Sequence, residues 1–195
     1  MRISGVLLAG GESRRMGKDK ATILFWGKPL WQIQIELLRS LKLVEIFVSA
    51  REKPNWHPTT VQFVRDTPLS RGPLSGLSAA MREMRGSHLL VLAVDMPFMN
   101  AGHLRKLSRQ IGPGRGVLPM IANRAEPLAA IYPLEARVEV DAALSGTDFS
   151  LQSLTNQLRK LGKLETITLT KEEALFYRNL NEPIDVVSLK HFPAF

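Results

Sequence analysis

Six mostly apolar runs of strand length recur along the chain, at residues 3–9, 44–49, 61–64, 88–94, 117–120 and 128–132. A strand wetted on one side alternates apolar with polar residues, whereas an unbroken apolar run requires cover on both faces. Segments with helical spacing lie between the runs. Residues 29–41 open with Pro29, suited to a first helical turn, and set Leu30, Ile33, Leu37 and Leu41 on one stripe with Gln34 as the polar exception beside it. Residues 73–84 place Leu74, Leu77, Ala80 and Met84 at similar spacing, and Asn100 offers a cap to a helix carrying Leu104 and Leu107. Strand and helix in alternation predict an α/β fold, a three-layer αβα sandwich on a Rossmann-like, mostly parallel sheet. Such sheets bind ligands at the carboxyl ends of their strands, so the loops after Ala9, Ser49, Val64 and Val94 are where chemistry is expected.

The 195 residues contain no internal repeat and no Gly/Ser- or Pro-rich linker, which predicts one domain over residues 1–195. The chain has no cysteine, so disulfides, thiolate zinc sites, iron–sulfur clusters and cysteine nucleophiles are excluded. The first apolar stretch is broken by Gly11, Glu12, Arg14 and Arg15, too early for a secretory segment, and no run of 18 apolar residues exists. The expectation is a cytoplasmic protein without a membrane partner. Lys and Arg number 26 against 18 Asp and Glu, a formal net charge of +8, which calls for an anionic partner. Aromatic residues make up 7% and are scattered, so they form no base-stacking platform, and a small phosphorylated substrate is expected in place of nucleic acid.

The segment Leu8-Ala9-Gly10-Gly11-Glu12-Ser13-Arg14-Arg15-Met16-Gly17-Lys18-Asp19-Lys20 follows the first strand. A P-loop would need glycine where Glu12 stands, and a dinucleotide fingerprint would need it at Glu12 and Arg15, so neither common phosphate loop is present. Two glycines strip side chains from the strand exit and let backbone N–H groups approach a ligand. Arg14, Arg15, Lys18 and Lys20 then bring four cations, the complement of a triphosphate. The same residues could form a solvated basic turn, but the glycine pair at a strand exit favours a nucleotide or polyphosphate site. His88-Leu89-Leu90-Val91-Leu92-Ala93-Val94 runs straight into Asp95, an acid at the end of a central strand and a fitting ligand for Mg²⁺ beside phosphate. The four histidines lack metal-ligand spacing, and the methionines and Trp26, Trp31 and Trp56 are read as packing residues.

This loop resembles the signature L-A-G-G-x-S-x-R-M-G-x-D-K of the MobA-like nucleotidyltransferases, a family with the nucleotide-diphospho-sugar transferase fold. The resemblance implies that Leu8, Ala9, Gly10, Gly11 and Lys20 bind the nucleotide, with Lys20 and Arg15 on the phosphates. Asp95-Met96-Pro97 is similar to the family's D-x-P motif, which implies that Asp95 is the Mg²⁺ ligand. Asp66 with Gly72-Pro73-Leu74-Ser75-Gly76 matches D…G-P-L-x-G, which implies a place for Asp66 in the nucleotide site. Asn179-Leu180-Asn181-Glu182-Pro183 resembles N-x-N-T-P with Glu182 replacing Thr, and puts Asn179 and Asn181 on the acceptor side. The segment around Glu126 resembles the acceptor lining, and Ser49 stands where Asn is common. By the same resemblance the donor is GTP and the acceptor is molybdenum-bearing molybdopterin, with proteins of molybdoenzyme maturation as further partners. Cytidylyl relatives often read L-A-A-G, so the missing Cβ of Gly10 is expected to make room for a purine. Two alternatives stay open from the residues alone: a cytidylyl or sugar-1-phosphate transferase, and a basic domain that holds nucleotide or RNA without catalysis.

Overall fold

The computed structural model describes residues 1–10, 19–66 and 71–180. In chain order its strands are β1 (Ile3–Leu8), β2 (Leu24–Phe25), β3 (Lys28–Pro29), β4 (Ile46–Ala50), β5 (Gln62–Arg65), β6 (His88–Ala93), β7 (Gly116–Ile121), β8 (Arg124–Ala125), β9 (Ile131–Pro133) and β10 (Leu164–Thr168). Its helices are α1 (Leu30–Arg39), α2 (Pro73–Glu83), α3 (Ala101–Ser108), α4 (Arg137–Ser145), α5 (Leu151–Lys160) and α6 (Lys171–Ala174).

The main sheet runs β5-β4-β1-β6-β9-β7-β10, with β8 paired to β7. Strand β1 is parallel to both β4 and β6, β5 is parallel to β4, and β10 is parallel to β7. The unbroken apolar runs occupy the middle of this sheet, where every residue of β6 is buried. Leu30, Ile35, Leu38, Leu104 and Leu107 of α1 and α3 cover one face. Leu74, Leu77, Met81, Val140, Leu154 and Leu158 of α2, α4 and α5 cover the other, which completes the expected three layers.

Strand β9 departs from an all-parallel arrangement, because it is antiparallel to β6 and to β7. A parallel return needs a crossover of a dozen or more residues. Residues 122–130 are too few for one, and they contain only a tight turn, β8 and the 3₁₀ turn Pro127–Ala129. That turn takes the first part of the expected run at 128–132, so the strand begins later, at Ile131. Asn100 caps α3 as expected, its side chain accepting from the His103 N–H. Pro29 stands just outside α1, at φ −66 and ψ 146, and the helix begins at Leu30.

Gly116 begins β7 where β9 crosses closest. A Cβ there would lie 1.9 Å from the Ile131 carbonyl oxygen and 2.9 Å from Pro133 Cδ. Since backbone on a neighbouring strand cannot swing aside, Gly116→Ala should destabilise the protein by about 3 kcal/mol, the upper range for overpacking. That corresponds to a Tm roughly 6–12 °C lower for a chain of this size, measured by calorimetry. Gly146→Ala, whose Cβ would find only ordinary contacts at 3.5 Å, should stay within about 0.5 kcal/mol.

Candidate functional site

The chain runs from β1 outward to β4 and β5, then returns to place β6 on the other side of β1. The order reverses there, and the carboxyl ends of the strands leave a crevice at such a point. Leu8, Ala9 and Gly10 leave β1 into it, Ser49 and Ala50 end β4, Asp66 follows β5 and Asp95 follows β6. The topology therefore brings Leu8, Ala9, Gly10, Asp66 and Asp95 to one edge of the sheet. Gly11, Arg14, Arg15 and Asn181 lie outside the described residues.

The β1 exit is pinned by a close-packed node. The Ser49 carbonyl accepts from the Ala9 N–H at 2.9 Å and the Gly10 N–H at 3.1 Å. The Ser49 hydroxyl donates to Asp66 Oδ1 at 2.5 Å, and the Asp66 N–H donates to the Ala50 carbonyl at 2.9 Å. Asp66 is only 5% exposed. Burial pushes its carboxyl up from the ordinary carboxylate range, opposed by the Ser49 hydrogen bond and the Arg51 charge. Gly10 and Gly76 give the node its room. A Cβ on Gly10 would lie 2.6 Å from Asp66 Oδ2, and one on Gly76 would lie 2.5 Å from Ser49 Oγ and 2.7 Å from Leu8 Cδ2. The space expected beside Gly10 for a purine is therefore filled by Asp66, and the glycine serves the buried acid. Ser49, a minor residue in sequence terms, proves to be the partner that links β1 to Asp66.

Across the crevice, Lys20 Nζ lies 3.2 Å from Asp95 Oδ2, with the two side chains 26% and 18% exposed. Lys20 begins the short 3₁₀ turn Lys20–Thr22, and Asp19 caps it by accepting the Ala21 N–H at 2.9 Å. The other oxygen of Asp19 accepts from Trp56 Nε1 at 2.7 Å, and Trp56 stacks on Trp31 at 5.4 Å and 13°. The lysine thus stands on a turn tied to α1 and to the loop after β4. Two of the tryptophans read as packing residues carry that tie. A cavity of about 350 Å³ opens between Ala9, Gly10 and Asp19 on one side and residues 50–55 on the other, within the size range of small-ligand sites.

Beyond β6 the chain returns to Asp95 from its far end. The Leu180 N–H donates to the Asp95 carbonyl at 2.9 Å, so the chain at exposed Asn179 adjoins the backbone that follows β6. Glu126 is half-buried before the turn Pro127–Ala129, and burial pushes its carboxyl up against the pull of Arg124. Among the described residues no cluster of three or more His, Asp or Glu could hold a metal by itself. Asp95, partly exposed and paired with Lys20, is the more accessible of the two acids that follow β5 and β6, because Asp66 is buried and bonded to Ser49. One carboxylate completed by phosphate oxygens and water suits Mg²⁺. No described helix is long and apolar enough to cross a membrane.

The family model of the MobA-like NTP transferase domain matches residues 5–161. A probable molybdenum cofactor guanylyltransferase from Opitutus terrae is 34% identical, over 94% of this chain and 92% of its own. Molybdopterin-guanine dinucleotide biosynthesis protein A from Archaeoglobus fulgidus has a crystal structure with TM-score 0.75 and 22% identity, covering 95% of both chains. The 2-C-methyl-D-erythritol 4-phosphate cytidylyltransferase of Thermus thermophilus shares the fold at TM-score 0.63 and 15% identity, over 94% of this chain and 95% of its own. With glycine at the β1 exit, a lysine on an acid across the switch point, and a family match over most of its length, this chain belongs to the MobA-like NTP transferase family.

Proposed function

We propose that the protein transfers GMP from GTP to molybdenum-bearing molybdopterin, forming the molybdopterin guanine dinucleotide cofactor. The observation that carries this reading is the Lys20–Asp95 pair at the switch point, beside the bare backbone of Gly10. The terminal phosphate of the acceptor attacks the α-phosphorus of GTP in line. A new phosphorus–oxygen bond forms as the bond to the β-phosphate breaks, and pyrophosphate departs with the electron pair. The acceptor phosphate is already anionic, so no side-chain nucleophile is needed, and catalysis rests on positioning and charge neutralisation.

Lys20 turns from Asp95 to the incoming phosphates and meets the charge that builds on them, with Arg15 of the same loop as a second cation. Asp95 holds Mg²⁺, which when bound supplies further charge neutralisation and orientation of the phosphate oxygens. Leu8, Ala9, Gly10 and Gly11 offer backbone to the nucleotide, and Asp66 through Ser49 fixes the path of Ala9 and Gly10. Asn179 faces the acceptor, and Asn181 is assigned to the acceptor by its place in the N-x-N-T-P resemblance. Proteins that receive the finished cofactor for molybdoenzyme maturation are the further partners of this reading. A domain that only held nucleotide would release no pyrophosphate.

The deciding assay incubates the protein with Mg²⁺, molybdopterin and each triphosphate and measures pyrophosphate. GTP should be preferred to CTP by at least about 100-fold in kcat/KM, roughly 2.7 kcal/mol of discrimination. Equal rates with both would refute the guanylyl assignment. Asp95→Asn should lower turnover by more than about 100-fold with Tm nearly unchanged, and survival within about tenfold, 1.4 kcal/mol, would place the metal elsewhere. Lys20→Ala should weaken GTP binding far more than guanosine binding by calorimetry, because the lost contact is to phosphate.

A further inference from the structure

A buried polar chain lies behind the far wall of the crevice, made of side chains that the proposed reaction does not use. His103, in the first turn of α3, is 5% exposed, and its Nε2 lies 2.8 Å from the hydroxyl of Tyr177, itself 5% exposed. The His103 Nδ1 faces Glu173 Oε1 at 3.8 Å. Glu173 is in turn held by Lys106 at 2.5 Å, and its other oxygen accepts the Thr170 N–H at 3.1 Å within the capping box of α6. Burial holds the His103 imidazole below its ordinary range and so keeps it neutral. The neighbouring carboxylate favours the proton on Nδ1, which leaves Nε2 as the acceptor. Tyr177 is held far above its ordinary range by burial and by Glu126 and Glu173, so its hydroxyl keeps its proton and donates. Among the described residues the charged groups that act on this pair are Lys106, Glu173 and Glu126.

The bond sits at one end of a short strap. Tyr177 closes the 3₁₀ turn Leu175–Tyr177, and Leu180, 2% exposed, bonds the Asp95 carbonyl through its N–H. Residues 177–180 are therefore fixed twice, to α3 by a side chain and to the end of β6 by the backbone, with Asn179 exposed between the two points. The glycine node and Lys20 hold the β1 side of Asp95. The strap holds the opposite side, next to Glu126 and the β9 end of the sheet.

We infer that Tyr177 and His103 are positioning residues for acceptor specificity: their buried hydrogen bond sets the strap against Asp95 so that Asn179 forms the acceptor wall. This rests on the guanylyl-transfer reading for the identity of the acceptor. Neither residue reaches the reacting atoms. A hydrogen bond buried this deeply has one geometry, since an unmet donor or acceptor there is costly, and the strap inherits that geometry.

The test compares Tyr177→Phe, His103→Leu and the conservative His103→Gln, whose amide oxygen can still accept. Steady-state kinetics with GTP, Mg²⁺ and molybdopterin should give Tyr177→Phe and His103→Leu about tenfold higher acceptor KM. GTP KM should stay within about twofold, and His103→Gln should recover most of the loss. Hydrogen exchange on the same proteins reads the strap without activity: the Leu180 N–H should lose protection about tenfold in the first two variants, while the N–H groups of β6 do not change. Should one of the single variants fold poorly, the double variant Tyr177→Phe/His103→Leu removes both partners, leaves neither unmet, and carries the same expectations. Equal rises in both KM values, or an unchanged Leu180 N–H, would overturn the inference. If the unmodified protein fails to use GTP and molybdopterin, the functional reading fails by itself, and the exchange experiment still decides whether the bond holds the strap.

Discussion

The carboxylate of Asp66, almost out of solvent against the Cα of Gly10, is the contact on which the ligand edge of the sheet depends. A buried carboxylate costs several kcal/mol unless its oxygens are met, and removing one partner leaves that cost exposed. Here Ser49 supplies a hydroxyl and Arg51 a charge, both at the end of β4, and both act only if β4 and β5 stop in register. The same requirement reaches β1, because the Ser49 carbonyl takes the two N–H groups that turn the chain out of the strand. It also reaches α2, whose first turn can approach Ser49 only through Gly76. Four segments distant in sequence are fixed together around one acid, and the loop that leaves β1 starts from a rigid base.

The cation on the other side of the crevice is held more loosely. Lys20 and Asp95 are each partly exposed, and an ion pair in that setting contributes at most about 1 kcal/mol. That weakness suits the proposed transfer, in which Lys20 leaves Asp95 for a phosphate and the acid takes a metal, because a partly solvated pair separates at little cost. The rigidity needed for this exchange lies one residue back, where Asp19 both caps the turn and takes the Trp56 N–H.

What could be read from the residues follows from how local each signal is. The core strands, the cap at Asn100 and the acid after β6 are written in runs and neighbours, and the structure places them where the sequence does. The turned strand β9 was not legible as such, since its direction is set by the shortness of the connection from β7 and not by its own apolar residues. The helix α5 is weakly written in the sequence: Leu151, Leu154 and Leu158 are helically spaced, but the residues between them are polar and the first turn holds no acid. The use of the space at Gly10 is not legible locally, because the neighbour that fills it, Asp66, is more than fifty residues away in sequence. Tyr177 and His103 carry no motif, and only their packing joins them.

The sheet itself cannot be what selects a substrate, since a cytidylyltransferase is built on the same fold. Selection must then lie in the side chains set along its edge, and the two sides of Asp95 are anchored by different means. On the β1 side the anchors are backbone and glycine, which tolerate almost no change: a single Cβ would collide with Asp66 or Ser49. On the far side the anchor is one side-chain hydrogen bond between α3 and the segment after α6, joined to Asp95 through a single backbone bond. In the proposed transfer, rigid backbone suits the side of the site that meets the triphosphate. A side-chain latch on the acceptor side can be rebuilt by a few substitutions without disturbing the strands that carry it.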